Sequence, residues 1–147
     1  MRRFTIVLAA IVVFGLSAAP ALADDGPAGV YDVKFEEAGT TCSPPPVALG
    51  RGKLTIEIKK TTLSVNTDLI PVMYGTPDKS GKIAAKTPKL VGTTVMGLSA
   101  RYSVAGRVDS GMLQLVLTAD YVRQDTNKPY CQQAWNISGV RGEADKK

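Results

Sequence analysis

LSARYSVAGRVDSGMLQLVLTADY, residues 98–121, alternates with a period of two on either side of a turn. Leu98, Ala100, Tyr102, Val104, Gly106 and Val108 share one face, and Ser99, Arg101, Ser103, Ala105 and Arg107 the other. Asp109-Ser110-Gly111 breaks the alternation, where glycine supplies the positive φ that a tight hairpin needs. Leu113, Leu115, Leu117, Ala119 and Tyr121 then resume it. The pattern predicts two antiparallel strands with one face on a core and the other in water.

The same period runs outward from this hairpin. Val30–Glu36 sets Tyr31, Val33 and Phe35 against Asp32, Lys34 and Glu36, and Lys53–Lys59 sets Leu54, Ile56 and Ile58 against polar neighbours. Leu63 and Val65 follow a tight connection at Lys60-Thr61. Leu69–Thr76 reads as a strand with an edge, bulge or bend at Pro71. Pro77–Gly81 is a turn, Lys82–Lys86 a short strand and Thr87–Gly97 a loop. Gln124–Pro129 is polar, and the last strand runs from Tyr130 to about Val140 with Cys131, Gln133, Trp135 and Ile137 inward. No useful helix or internal repeat is visible. The fold class is therefore all-β, with about eight strands in one domain over residues 29–140.

The two ends of the chain read differently. Arg2-Arg3, an apolar run over Thr5–Leu16 and the small-residue site Ala21-Leu22-Ala23 form a secretory signal peptide over residues 1–23. The apolar run is too short for a span of roughly 20 residues. Cleavage near Ala23 places the protein outside the cell or in a periplasm, with a flexible N-terminus over 24–28 and a charged tail over 141–147. Of 18 basic residues two leave with the leader, while all 13 acidic ones stay. The surplus is mild, and nucleic acid is not an expected partner.

In that compartment Cys42 and Cys131, an even pair, are expected to form a disulfide. With no histidine in the chain, a cysteine nucleophile lacks its usual base and a metal site lacks ligands. Bridged cysteines need α-carbons about 4.4–6.8 Å apart. Cys42 follows the first strand and Cys131 opens the last, an arrangement natural to an even-numbered up-and-down meander closed into a barrel by that bond. A β-sandwich is the alternative.

The opening Gly29-Val30-Tyr31, the long first loop, the eight-strand meander and the disulfide to the last strand together resemble the lipocalins and related calycin barrels. That resemblance implies a small apolar molecule held in the barrel mouth. Ala100, Gly106, Ala119 and Gly139 are small inward residues that would either leave such a cavity or permit close packing.

In a barrel the short turns near Lys60, Asp78 and Ser110 share one end. Ala38–Gly52, Thr67–Leu69, Thr87–Gly97 and Gln124–Pro129 share the other, the expected working end. Candidate contacts there are Pro44, Pro45 and Pro46, which stiffen the longest loop, together with Gln133 and Trp135. An inward glutamine must find polar partners. No catalytic residue, metal site or cofactor is expected. Glu36 and Glu37 point to opposite faces of one strand, and Asp120 is a solvated carboxylate. Met73, Met96 and Met112 read as packing, and Lys79, Lys82, Lys86 and Lys89 as a solvated hairpin.

The expected function is a non-enzymatic, secreted binding protein holding a small apolar ligand at the long-loop end. The alternative is a protein-interaction module of the envelope or extracellular space, an inhibitor or structural component, with a filled core.

Overall fold

The computed structural model describes residues 26–143. The expected leader, its cleavage point at Ala23 and the end of the charged tail lie outside the described residues. Nine strands follow in order: β1 (Gly29–Thr40), β2 (Arg51–Lys59), β3 (Thr62–Thr67), β4 (Ile70–Gly75), β5 (Lys82–Lys86), β6 (Val91–Gly92), β7 (Leu98–Asp109), β8 (Met112–Arg123) and β9 (Pro129–Arg141).

Antiparallel pairing runs from β1 to β5 and from β7 to β9, with β9 returning to β1. The circle closes where β5 pairs with β7, from Lys82↔Arg107 to Lys86↔Ser103. Two-residue β6 pairs with β7 farther along the same flank, at Val91↔Ala100 and Gly92↔Ser99, so β5 and β6 occupy one position. The architecture is an eight-position antiparallel barrel, and the closing β5–β7 ladder excludes the sandwich. Closure removes the exposed edges that an open sheet of this length would present.

Two strands run beyond their apolar alternation. β1 continues past Glu36 to Thr40 because β9 pairs with it throughout, across a bulge between Glu37 and Gly39. β9 takes in Pro129 and Arg141 beside the expected residues. The bend expected at Pro71 falls in β4, where the ladder to β3 shifts register between Val65 and Thr67.

The inward faces fill the barrel. Tyr31, Tyr121, Trp135, Leu54, Ile56, Leu63, Leu113 and Leu117 are each at most 1% exposed, so their side chains are closely packed. The small inward residues permit close packing. A Cβ on Gly106 would lie 2.2 Å from the Gln114 carbonyl oxygen, and one on Gly139 would lie 2.6 Å from that of Asp32. These contacts are far inside normal van der Waals distance, so the glycines let neighbouring strands coil tightly around the core.

The short-turn end is sealed by a polar cluster. Tyr31 Oη donates to the Pro27 carbonyl at 2.7 Å. Arg141 Nη2 donates to Tyr31 Oη at 3.0 Å and to the Gly26 carbonyl. Its guanidinium carbon stands 5.6 Å from the Tyr31 ring centroid, within cation–π range. Of the segment 24–28, expected to be flexible, Gly26 and Pro27 are thus held against the barrel.

Candidate functional site

The long-loop end is built around the disulfide. Cys42 and Cys131 are bonded, with α-carbons 5.1 Å apart. Thr41 N donates to the Gln132 carbonyl at 2.9 Å, and Gln132 N donates back to Thr41 Oγ1 at 2.9 Å. The staple therefore extends the β1–β9 ladder by one rung. From it the first loop folds inward. Pro44 and Pro45 stay exposed, whereas Pro46, Val47 and Leu49 are half-buried, the last two packed against the core.

Gln133 lies fully buried beneath this loop. Its Nε2 donates to the Val47 carbonyl at 3.0 Å and to Glu37 Oε2 at 3.2 Å, and its Oε1 accepts from Tyr121 Oη at 2.8 Å. The inward glutamine thus finds its partners within the protein, joining β1, the first loop, β8 and β9. Trp135, one inward position deeper, is 1% exposed. Of the candidate contacts, Pro44 and Pro45 face solvent and Pro46 partly does, while Gln133 and Trp135 belong to the closed interior.

Burial pushes the hydroxyls of Tyr102 and Tyr121 above the ordinary value of 10, and at Tyr121 the neighbouring Tyr102 adds to the shift. A raised folded-state pKa favours the neutral phenol. That contribution to stability is complete below pH 10 and is lost as pH climbs through the folded values. In an alkaline titration, the phenolate absorbance of these two residues, isolated with Tyr102→Phe and Tyr121→Phe variants, should appear only as the near-UV dichroism of Trp135 is lost. Their ionisation with that dichroism intact would show a solvated network.

Two further loops are tied together beside this cover. Gln124 N donates to the Gly97 carbonyl at 2.9 Å, and Gln124 Nε2 reaches the Leu98 carbonyl and Ser99 Oγ, both at 3.2 Å. Arg123 grips Asp125 through two hydrogen bonds of 3.1 and 3.2 Å. This frame shapes an open cleft of about 470 Å³ lined by Val95, Met96, Leu98, Arg123, Asp125 and Tyr130, among others.

Around the cleft the molecule shows apolar side chains to water. Met96 is 99% exposed and Tyr130 52%, while Leu69, in the β3–β4 turn at the same end, is 62% exposed. Met73 is core packing, as expected, but Met96 and Met112 are not: both are exposed. Their positions explain the difference, since Met96 lies in a loop and Met112 points outward on β8. A Val95-Met96-Gly97 tripeptide in a loop was the available signal, because apolar residues next to a turn glycine have no strand face to hide on.

The acidic candidates remain separate. Glu36 pairs with Lys34, Glu37 turns to Gln133, and Asp120 Oδ1 accepts from Gln132 Nε2 at 2.6 Å. The chain significantly matches no known protein-family model, curated protein or solved structure. The class defined by the fold and this end is a closed, filled antiparallel β-barrel with a disulfide-stapled loop cover.

Proposed function

We propose that the protein is a non-enzymatic interaction module that docks a protein partner on the long-loop end of its filled barrel. The observation carrying this reading is the contrast between the packed interior and the solvent-facing Met96, Tyr130 and Leu69. Met96 and Tyr130 line one cleft at this end, and exposed apolar side chains that share a cleft fit a docking site. The barrel mouth, where the lipocalin-like architecture would hold a small apolar molecule, is occupied by Gln133 and the loop above it. That occupancy favours a partner outside the barrel. Placement in the envelope or extracellular space rests on the leader, and a disulfide suits an oxidising compartment.

The test uses a photo-reactive side chain placed at Met96 or, as control, at Lys60 on the opposite end. In cells exporting the protein, adducts should form from Met96 and not from Lys60. Once the partner is identified, Met96→Ser with Tyr130→Ser should weaken calorimetric binding about tenfold or more, the scale of an apolar hot spot. A variant of the Asp109–Gly111 turn should bind normally. A small molecule carried stoichiometrically by protein from its own host, seen by native mass spectrometry, would overturn the reading.

A further inference from the structure

The barrel wall formed by β2, β3, β4, β5 and β7 carries a second surface, far in chemistry from the apolar loop end. Strand pairing lays out one row of outward residues across it. Glu57 stands opposite Ser64, Ser64 opposite Tyr74, Tyr74 opposite Lys86, and Lys86 opposite Ser103. Neighbouring strands are about 4.8 Å apart, so Ser64, Tyr74 and Lys86 span about 10 Å. Tyr74 is 48% exposed, an aromatic side chain on the outer wall.

On one side of Tyr74 lies a trough of about 440 Å³ whose lining includes Thr55, Thr62, Ser64 and Asn66 and also Glu57, whose carboxylate is paired with Lys59 at 3.0 Å. Among the described residues, no intramolecular hydrogen bond engages the four hydroxyl and amide side chains. On the other side lies a band of cations. Lys82 stands directly opposite Arg107, and Lys86 is four residues farther along β5. All three are exposed and none joins an ion pair among the described residues, where the pairs are Lys34–Glu36, Lys59–Glu57 and Arg123–Asp125. Like charges directly opposite on adjacent strands destabilise a sheet. The nearby Asp78 carboxylate, which accepts from Ser80 N at 2.7 Å and Ser80 Oγ at 2.5 Å, feels both Lys82 and Arg107 and offsets part of their charge, while Lys86 is left to the ligand. Between the Lys82–Arg107 pair and Lys86 the wall is floored by Ala84 and Ala105, opposite each other and both outward, so a ligand can lie close to the strands.

The usual reason for charges on a wall is to keep an open edge from pairing with a neighbour. Here β5 is hydrogen-bonded to both β4 and β7, so that reason is weak. We propose that this wall binds an acidic polysaccharide, one bearing carboxylate or sulfate groups. One sugar ring would lie on Tyr74, its hydroxyls would reach the trough, and its anionic groups would sit on Lys82, Lys86 and Arg107. The three chemistries answer the three features of such a polymer: an apolar C–H face, a hydroxyl edge and repeated negative charge. A single-stranded nucleic acid would want several aromatic platforms in series, and this wall offers one. The proposal is independent of the loop-end reading, since it uses different residues on a different face.

Calorimetric titration of the whole protein with oligogalacturonate at low salt tests it. Binding is expected, weakening steeply as salt is raised, because counterions are released from the polymer. The triple variant Lys82→Ser, Lys86→Ser, Arg107→Ser should lose about tenfold or more in affinity at low salt. Tyr74→Ser should lose about fivefold with the salt slope unchanged, as loss of a stacking platform predicts. Arg51→Ser with Lys53→Ser, two cations on the outer wall away from the row, should stay within about twofold, the size of a general charge effect. All substituted residues point outward, and thermal melts would verify that each variant is folded. Absence of binding, equal loss in the Arg51 and Lys53 control, or indifference to Tyr74 would each overturn the proposal. So would equally tight binding of an oligothymidylate or of phosphatidylglycerol vesicles.

Discussion

The Cys42→Ser variant is expected to lose about 4 to 5 kcal/mol of stability, the chain-entropy value for the loop of 89 residues that the bond closes. Removing the sulfur bond leaves the adjacent Thr41–Gln132 hydrogen bonds in place. The folded state is therefore little altered, and most of the loss arises from the freedom restored to the unfolded chain. Two signatures follow in a urea titration: the midpoint falls, and the denaturant slope rises because the unlinked chain exposes more surface. Below its lowered midpoint the variant should keep the barrel's near-UV dichroism. An unchanged midpoint, or two free thiols in denatured, unreduced wild-type protein, would refute the role given to the bond.

Trp135→Ala should cost about 3 to 5 kcal/mol, the range for truncating a large buried aromatic. Trp135 sits across the ladder from Leu117 and from Glu37, deep to the Gln133 network. The backbone around it belongs to a closed ladder and has little room to collapse. A void should therefore remain, apolar and dry enough to accept a small aromatic molecule. Benzene should raise the melting temperature of Trp135→Ala and leave that of the wild-type protein nearly unchanged. A loss below about 1 kcal/mol would mean that the barrel interior is not tightly packed. A wild-type protein stabilised by benzene as strongly as the variant would mean that the native barrel already has room for a ligand.

The barrel itself was legible because alternation with a period of two leaves no ambiguity of face. A one-residue slip in β7 or β8 would turn Tyr102 or Leu117 into water, so their pairing is strongly specified. The disulfide was legible from the even cysteine count and from the lack of any histidine to give Cys42 or Cys131 another role. The barrel's closure was legible too, from a disulfide joining the first strand to the last, whereas two-residue β6 was not, because Val91-Gly92 is too short to show any alternation within the loop expected over Thr87–Gly97. Whether Ala100, Gly106, Ala119 and Gly139 left a cavity was equally hidden, since that depends on how near Gln114 and Asp32 come from other strands. Gln133 was visible as an inward amide in need of partners, but Glu37 is 96 positions away and Val47 86. Tyr74 was missed as a surface aromatic for a similar reason. It joins the lysines only through the turn that lays β4 against β5. Met96 was read as packing because composition says how many methionines there are and not which lie outside a strand.

The pairing of β1 with β9 sets an order of events for a chain made from its N-terminus. The hairpins β2–β3 and β7–β8 can form as soon as their own residues emerge, since each needs only its neighbour in sequence. β1 cannot complete its ladder until almost everything else has been synthesised. Cys42 waits for Cys131, and Tyr31 waits for Arg141. Pairing of β1 with β9, disulfide formation and sealing of the short-turn end therefore coincide at the finish, and until then β1 is paired with β2 alone and its other edge is open. Such distant pairing slows folding and prolongs the life of unpaired strand edges. The contact that locks this barrel is the last one its own synthesis makes available.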